Sequence, residues 1–234
     1  MPDPELELGR RTWTDITAAE NPPFLVVPIG SCEQHGPHLP LDTDTRIAVA
    51  LAEALAAVRS DVLVVPPLAI TASGEHQGFP GTLSIGTAAL RTVTVELIRS
   101  ADWSRGVVLV NGHGGNMSAV ELAVQQCLDD GRRVLNWWPR IPTAAGSQAD
   151  SHAGRTETSL MLAICPTLVR TAAAVAGNTA PISAIIDRLR AQGVAAVSGN
   201  GVLGDPSGAT ADEGRRLLEG LAADLVARFD AWRR

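Results

Sequence analysis

The sequence predicts an α/β fold: a three-layer α/β/α sandwich with a mainly parallel central sheet. Short apolar runs rich in β-branched residues alternate with Ala- and Leu-rich segments whose apolar residues recur at helical spacing. Alternating strands and helices typically form a parallel sheet that is covered by helices on both faces. No repeat, low-complexity tract or linker divides the 234 residues, so we expect a single domain over residues 1–234.

Four apolar runs qualify as buried strands because they are short, continuous and bounded by Gly, Pro or charged residues. In chain order they read "PFLVVPIG" (23–30), "DVLVVPPLAI" (61–70), "GVVLVNG" (106–112) and "RRVLNWW" (132–138). Each of the first three is followed by a polar loop, so the residues after these strands are the first place to look for a site.

The helices are predicted where apolar residues recur at intervals of three and four. Three of them, over 45–59, 87–102 and 116–130, lie between the strands. Beyond residue 140 the alternation loosens, with helices expected over 156–165, 181–191 and 210–233 and a Gly-rich stretch over 193–210.

Composition excludes several classes of function. The net charge is −6 and the basic residues are scattered, so we expect no nucleic-acid partner. No apolar run reaches the eighteen or so residues of a membrane span, and "MPDPELELGRR" lacks the features of a signal peptide, so a cytoplasmic protein without membrane contact is predicted. Three widely spaced cysteines indicate no disulfide framework. The chain has no G-x-G-x-x-G after its first strand and no G-x-x-x-x-G-K-[ST] loop, which argues against a nucleotide-binding module.

Histidine and glutamate residues follow three of the predicted strands. Glu33 and His35 come after the first strand, Glu75 and His76 after the second, and His113 after the third. A lone histidine in a loop is usually just hydrogen-bonded or solvated. This explanation weakens for a set of residues at strand ends, because those ends face one crevice in a parallel sheet.

The residue types in this set favour a transition-metal site. Glu33 and His35 are two positions apart, so an extended segment would point both side chains the same way. Asp44 follows nine residues after His35, beyond a Pro-containing turn. Mixed imidazole and carboxylate ligands suit Zn, Mn or Fe, and two or three carboxylates could bridge a pair of ions. A bridged pair of divalent metal ions, able to activate a water molecule, is therefore possible.

Two further residues come from the stretch "DSHAGRTETSLMLAICP". His152 and Glu157 flank a Gly-containing turn at the start of a predicted helix. Glu157 could be a ligand or only a partner of the helix dipole. His152 could transfer a proton or only orient a neighbouring group.

Two loops could contact a substrate. The segment "SGEHQGFPGT" would cover the pocket, with Phe79 as an apolar wall. Glu75 and His76 could touch the substrate or only hold this loop in shape. In "NGHGGN", Gly114 and Gly115 could let backbone N–H groups approach a substrate oxygen, or could simply form a tight turn.

Four motifs, in this order and spacing, resemble those of the creatininase family of metal-dependent amide hydrolases. They are "PIGSCEQHGPHLPLDTDT", "SGEHQGFPGTLSIGT", "NGHGGN" and "HAGRTETS". The stretches "AGNTAP", "GVAAVS" and "GVLGDP" further resemble the branch of this family that acts in mycofactocin biosynthesis. The resemblance runs from about residue 24 to 217 and implies a three-layer α/β/α fold with a two-metal site.

The resemblance also implies a set of ligands, with Asp44 as the bridging residue. The set is Glu33, His35, Asp44, His113 and Glu157. The chain departs from creatininase itself at Gly115, where that enzyme has a glutamate. This difference casts doubt on creatinine as the substrate, and the resemblance indicates that Glu157 supplies the missing carboxylate.

The reaction implied for this branch is the release of a C-terminal modified Val-Tyr dipeptide from a modified precursor peptide. His152 would then be the acid/base residue, and the resemblance favours a symmetric homo-oligomer. A second enzymatic possibility is the hydrolysis of creatinine or another small cyclic or formyl amide. A metal-binding or partner-binding protein without catalysis is the third possibility, because ligands alone do not reveal an open coordination position.

Overall fold

A four-stranded, all-parallel sheet forms the middle layer of the computed structural model, which describes residues 4–140 and 150–234. Its strands are β1 (Phe24–Ile29), β2 (Val62–Val64), β3 (Val107–Asn111) and β4 (Val134–Trp137). Their order across the sheet is β2-β1-β3-β4. The two longer strands, β1 and β3, are buried along their whole length at the centre, as expected for apolar runs covered on both faces.

Helices cover both faces of this sheet. The α-helices of the described ranges are α1 (Trp13–Ala18), α2 (Thr43–Val58), α3 (Gly86–Ser100), α4 (Met117–Asp129), α5 (Arg155–Ile164), α6 (Ile182–Gln192), α7 (Val194–Val197) and α8 (Ala211–Trp232). One apolar cluster joins α2, α5 and α8 to one face, and a second joins α3 and α4 to the other. The predicted three-layer sandwich with a parallel sheet is therefore confirmed.

Two local features differ from the predictions. The second strand was expected over 61–70 but ends at Val64, because Pro66 and Pro67 have no N–H to donate to a neighbouring strand. The chain returns beside β1 at Leu68, whose N–H donates to the Pro28 carbonyl oxygen over 2.9 Å. Helix α1 was not predicted; a capping box between Thr12 and Asp15 stabilises its first turn.

Two glycines allow the start of α2 to lie against the carboxyl ends of the central strands. A side chain at Gly30 would overlap with Thr45, and a Cβ at Gly112 would lie 2.7 Å from the carbonyl oxygen of Asp44. This close approach places Asp44, in the first turn of α2, beside the loops that follow β1 and β3.

No helix in the described ranges has both the length and the apolar character needed to cross a membrane.

Candidate metal centre

The loop after β1 and the first turn of α2 supply three polar side chains that are almost completely buried: Glu33, His35 and Asp44. Backbone pairing holds the loop, because the Glu33 N–H donates to the carbonyl oxygen of Leu41 over 2.9 Å. The Ser31 hydroxyl donates to Asp44 Oδ2 over 2.8 Å and so orients that carboxylate. One ligand-type atom from each of the three side chains lies within 4.8 Å of the others.

Asn116 joins this loop to the loops that follow β2 and β3. Its Nδ2 donates to the carbonyl oxygen of Gly30 over 2.9 Å, and its Oδ1 accepts the N–H of Ala72 over 3.1 Å. Asn116 is completely buried, and it is the last residue of the motif "NGHGGN". Asn116 was not predicted as part of the site, although its place in the motif was a signal.

Asp44 lies between two histidines, and each of its oxygens faces one of them. Its Oδ1 is 3.1 Å from His35 Nε2, and its Oδ2 is 3.2 Å from His113 Nδ1. A carboxylate in this position can bind two neighbouring cations at once.

Glu33 is fully buried, and within the described residues neither of its carboxylate oxygens takes part in a hydrogen bond. Imidazole nitrogens surround it instead: His113 Nε2 at 3.1 Å, His76 Nε2 at 3.3 Å and His152 Nδ1 at 3.7 Å. Burial raises the pKa of Glu33 to about 8. A buried carboxylate surrounded by imidazole nitrogens is suited to binding a cation, since burial of a carboxylate is unfavourable unless a proton or a cation compensates it.

Glu157 reaches the same cluster from the first turn of α5. Its Oε2 is 3.8 Å from His35 Nε2, and it also accepts the N–H of Ala153 over 2.6 Å. Ala153 adopts a positive φ of 51°, an unusual conformation for a residue with a side chain, and this turns its N–H toward Glu157. The two interpretations of Glu157 are thus compatible, because one residue both stabilises the helix start and faces the cluster.

The carboxylates of the cluster strongly raise the pKa values of two of its histidines. Burial alone would lower the pKa of His35, but Asp44, Glu157 and Glu33 raise it to about 10. The pKa of His113 rises to about 9 against the effect of burial, chiefly because of Glu33 and Asp44. In the described part of the chain, no arginine forms an ion pair with these carboxylates. Protons on the two histidines therefore balance the negative charge, and metal binding would release them.

His76 and His152 behave in the opposite way. Burial and the neighbouring charged histidines lower the pKa of His76 to about 3 and hold the pKa of His152 well below its usual value, so both rings are neutral at pH 7. His152 Nε2 lies 2.8 Å from the backbone carbonyl oxygen of Gln34, which can only accept a hydrogen bond. Its Nε2 therefore carries the hydrogen, and its Nδ1, on the side of Glu33, keeps a lone pair.

Two cavities open beside the cluster and share His113, Gly114, His152 and Glu157. The larger has a volume of about 290 Å³ and also contacts Trp138 and Pro139. The smaller, of about 170 Å³, has a polar floor that includes Glu33 and Asp44. Its apolar wall comes from Ile182, Ile186 and Leu189 on one face of α6.

The predicted substrate-contacting residues lie in different places. Gly115 and Glu75 are in close contact, because a side chain at residue 115 would overlap with Glu75 Oε1 and His113 Nε2. Glu75 Oε1 is 3.5 Å from His113 Nε2, whereas His76 is buried against Glu33. Phe79 is half-buried and lines neither of the two cavities described above, and its contact with a substrate stays a prediction.

The described residues contain three groups whose donor atoms are close enough to hold a metal ion. They are Glu33–His35–Asp44, His35–His152–Glu157 and Glu33–His76–His152. Because the donors are imidazoles and carboxylates, and because Glu33 makes no hydrogen bond, these buried clusters are consistent with a binuclear metal site.

The family model for creatininase (creatinine amidohydrolase) matches residues 9–229. This chain belongs to the creatininase family. Two relatives within the family are named "Mycofactocin precursor peptide peptidase". The one from Mycolicibacterium smegmatis is 50% identical over 217 residues, which are 90% of this chain and 85% of that protein. The one from Mycobacterium tuberculosis is 48% identical over 236 residues, 97% of this chain and 91% of that protein.

Solved structures of the creatininase family have the same fold. The structure "Creatininase Mn" superposes with a TM-score of 0.80 at 26% identity, covering 97% of this chain and 98% of that one. The family resemblance predicted from the four motifs is therefore confirmed, as are the fold and the class of metal-dependent amide or peptide hydrolases.

Proposed function

We propose that this chain is a metal-dependent peptidase that releases the C-terminal modified Val-Tyr dipeptide from the mycofactocin precursor peptide. Support for the substrate comes from the two relatives, which carry the name of that activity and match most of this chain. Support for the chemistry comes from one observation above all. Glu33 is a buried carboxylate without a hydrogen bond, and it is surrounded by imidazoles.

The proposed ligands form two sets that share Asp44. Glu33 and His113 lie on the side of Asp44 Oδ2, and His35 and Glu157 lie on the side of Oδ1. Bound there, two divalent ions would supply an activated water and polarise the scissile carbonyl. Zinc, manganese and iron all accept such ligands, so the donor set leaves the native metal open.

His152 is the proposed acid/base residue. It lines both cavities, and its Nδ1 has a free lone pair on the side of the cluster because Nε2 donates to the Gln34 carbonyl oxygen. A neutral imidazole in this orientation can accept a proton from the attacking water and return it to the departing amine. Because His152 lines both cavities, the proposed transfer would occur at the boundary of the proposed substrate site.

The larger cavity and the apolar face of α6 are the proposed contacts for the peptide. Gly114 and Gly115 line the smaller cavity, where their backbone N–H groups are candidates for binding a substrate oxygen. Glu75 is partly exposed beside them and is proposed to contact the substrate, whereas His76 is proposed to act through Glu33. A symmetric homo-oligomer and a cytoplasmic location stay predictions.

The decisive experiment combines metal analysis with a cleavage assay. The purified protein should contain about two zinc, manganese or iron ions per chain and should release the dipeptide from the modified precursor peptide, as followed by mass spectrometry. The unmodified peptide, creatinine and a heterocyclic formamide serve as competing substrates. Turnover of creatinine in preference to the peptide would favour the second enzymatic reading. Two bound ions without hydrolysis of any of these compounds would favour a metal-binding protein.

A further inference from the structure

His38 is a fully buried histidine that has no part in the proposed chemistry. It lies three residues after His35 in a tightly folded loop, in which His35 forms isolated β-bridges with Pro37 and Leu39. His38 Nε2 is 2.9 Å from the hydroxyl oxygen of Thr158, near the start of α5. This hydrogen bond joins the loop after β1 to a residue 120 positions further along the chain.

The direction of this hydrogen bond follows from a second one. The Thr158 hydroxyl lies 2.6 Å from the carbonyl oxygen of Gly154, which can only accept, so the hydroxyl donates to it. Thr158 Oγ1 is therefore the acceptor for the N–H of His38 Nε2. Gly154 directly precedes α5, and its carbonyl oxygen also accepts the backbone N–H of Thr158 over 3.1 Å. His38 thus holds the first turn of α5 through one hydroxyl group.

The other nitrogen of the His38 ring gains nothing from its surroundings. Nδ1 is buried and has no hydrogen-bond partner among the described residues. It faces the turn at Gly36, where a Cβ would lie 3.1 Å from Nδ1. A buried polar atom without a partner is unfavourable, so packing alone would favour an apolar side chain at this position. The hydrogen bond to Thr158 is what a histidine adds here.

This hydrogen bond lies next to a pair of proposed metal ligands. Thr158 follows Glu157 in sequence, and Glu157 Oε2 is 3.8 Å from His35 Nε2, too far apart for a hydrogen bond. The N–H of Ala153 orients the Glu157 carboxylate, but Ala153 belongs to the same segment as Glu157 and does not tie that segment to the loop. The bond from His38 to Thr158 does join the two segments, and it does so beside the two ligands.

We propose that His38, acting through Thr158, is a positioning residue that holds Glu157 beside the loop after β1 for metal binding. The proposed ion on the side of Asp44 Oδ1 has Glu157 as a ligand and should depend on this hydrogen bond. The proposed ion on the side of Oδ2 has no ligand from α5 and should not depend on it. This inference rests on the proposed function, since it concerns one of the two proposed metal ions.

The test compares Thr158→Val with Thr158→Ser in the manganese-loaded chain. Valine has the shape of threonine but lacks the hydroxyl, whereas serine keeps it. We expect Thr158→Val to weaken the binding of one ion about tenfold or more and to leave the other unchanged, because outer-shell partners of metal ligands contribute about 10- to 100-fold to metal affinity. Thr158→Ser should bind both ions like wild type. Competition with a chelator measures the two affinities.

Variants of His38 test the other end of the same hydrogen bond. His38→Phe removes the donor and should repeat the effect of Thr158→Val, whereas His38→Gln keeps an N–H donor and should restore the binding of both ions. The double variant His38→Phe/Thr158→Val should bind no more weakly than the weaker single variant, because both changes remove one interaction. Electron paramagnetic resonance gives a second readout, since two bridged manganese ions are spin-coupled and a single ion is not.

Ser159→Ala is the matched control within α5. The Ser159 hydroxyl donates to Glu213 Oε2 over 3.1 Å and accepts the N–H of Thr210 over 3.1 Å, so it ties the helix to α8 instead of to the loop. We expect Ser159→Ala to lower the melting temperature and to leave the ratio of the two metal affinities unchanged.

Equal effects of Thr158→Val on both ions, including no effect on either, would overturn the inference. A shift of the affinity ratio in Ser159→Ala would do the same. A crystal structure of metal-free Thr158→Val provides a test without metal: Glu157 Oε2 should lie farther than 3.8 Å from His35 Nε2, and an unchanged distance would count against the role of His38. A wild-type chain that binds no metal would instead contradict the proposed function, and the same distance would still test His38.

Discussion

The two edges of the sheet both carry charged residues, but the partners of those residues differ. At the amino edge, Arg105 pairs with Asp61 over 3.0 Å and Arg132 with Asp102 over 2.7 Å, and these side chains are partly exposed to solvent. At the carboxyl edge, the carboxylates of Glu33 and Asp44 are buried, and imidazoles face them instead of guanidinium groups.

The ion pairs at the amino edge are solvated surface pairs, whereas the carboxylates at the carboxyl edge are available to bind cations. Exposed ion pairs contribute about 0–1 kcal/mol each, because water already solvates both partners. Buried carboxylates lose that solvation and are stable only with protons or cations beside them. The carboxyl edge is therefore unfavourable by itself and well suited to cations, whereas the amino edge needs nothing further.

The largest expected effect comes from removing a proposed metal ligand at the carboxyl edge. Glu33→Ala or His113→Ala should lower turnover more than about 100-fold, because even the outer-shell partners of metal ligands contribute about 10- to 100-fold.

Asp102→Asn is the matched control at the amino edge. It breaks an exposed pair with Arg132 and should change the free energy of unfolding by less than about 1 kcal/mol, with turnover unchanged. Full activity in Glu33→Ala, or loss of activity in Asp102→Asn, would contradict the distinction between the edges. Calorimetry and the cleavage assay measure both quantities.

A smaller effect is expected from adding one methyl group at Gly115. Its Cβ would overlap with Glu75 Oε1 and His113 Nε2, so one or both side chains must move. Overpacking of this kind costs about 1–3 kcal/mol, and about 1.4 kcal/mol corresponds to a tenfold change in affinity. We expect Gly115→Ala to weaken metal binding about tenfold or more, as measured by competition with a chelator. Gly199→Ala, where a Cβ meets no atom within 4 Å, should bind metal like wild type.

A separate effect, confined to the metal-free chain, is its pH dependence. His35 and His113 keep protons up to about pH 10 and about pH 9 in the folded chain, and Glu33 keeps one up to about pH 8. The unfolded chain releases these protons at lower pH, so the folded state binds more protons between about pH 6.5 and 9. Stability therefore falls as the pH rises through this range, by about 1.4 kcal/mol per pH unit for each retained proton.

Bound zinc should flatten this dependence, because cations replace the protons. Calorimetric melting temperatures at pH 6.5, 7.5 and 8.5, with and without zinc, provide the measurement. His76 and His152 do not offset the trend, since their lowered pKa values affect stability only below about pH 6.5. A melting temperature of the metal-free chain that rises across the range would show that the cluster is not charged as described.

The sequence by itself determined the layers of the fold and most of the residues at the cluster. Apolar periodicity reports burial, so strands such as Phe24–Ile29 and Val107–Asn111 were predicted to within two residues at either end. The parallel arrangement then placed Glu33, His76 and His113 at one edge, because the carboxyl ends of parallel strands share that edge. The short second strand and the capped helix α1 depended on local proline and capping chemistry that periodicity does not report.

Only the tertiary structure decided how these residues face one another. Three features depend on how the loops pack against one another. They are the Asp44 oxygen that faces His35, the contact of Glu75 with Gly115, and the position of Phe79 outside the two cavities. Gln34 was not predicted as part of the site, and its side-chain amide contacts the carbonyl oxygen of Gly201, 167 positions away. Local pattern determines what is buried, whereas hydrogen-bond partners across the fold determine which nitrogen of a histidine carries the proton.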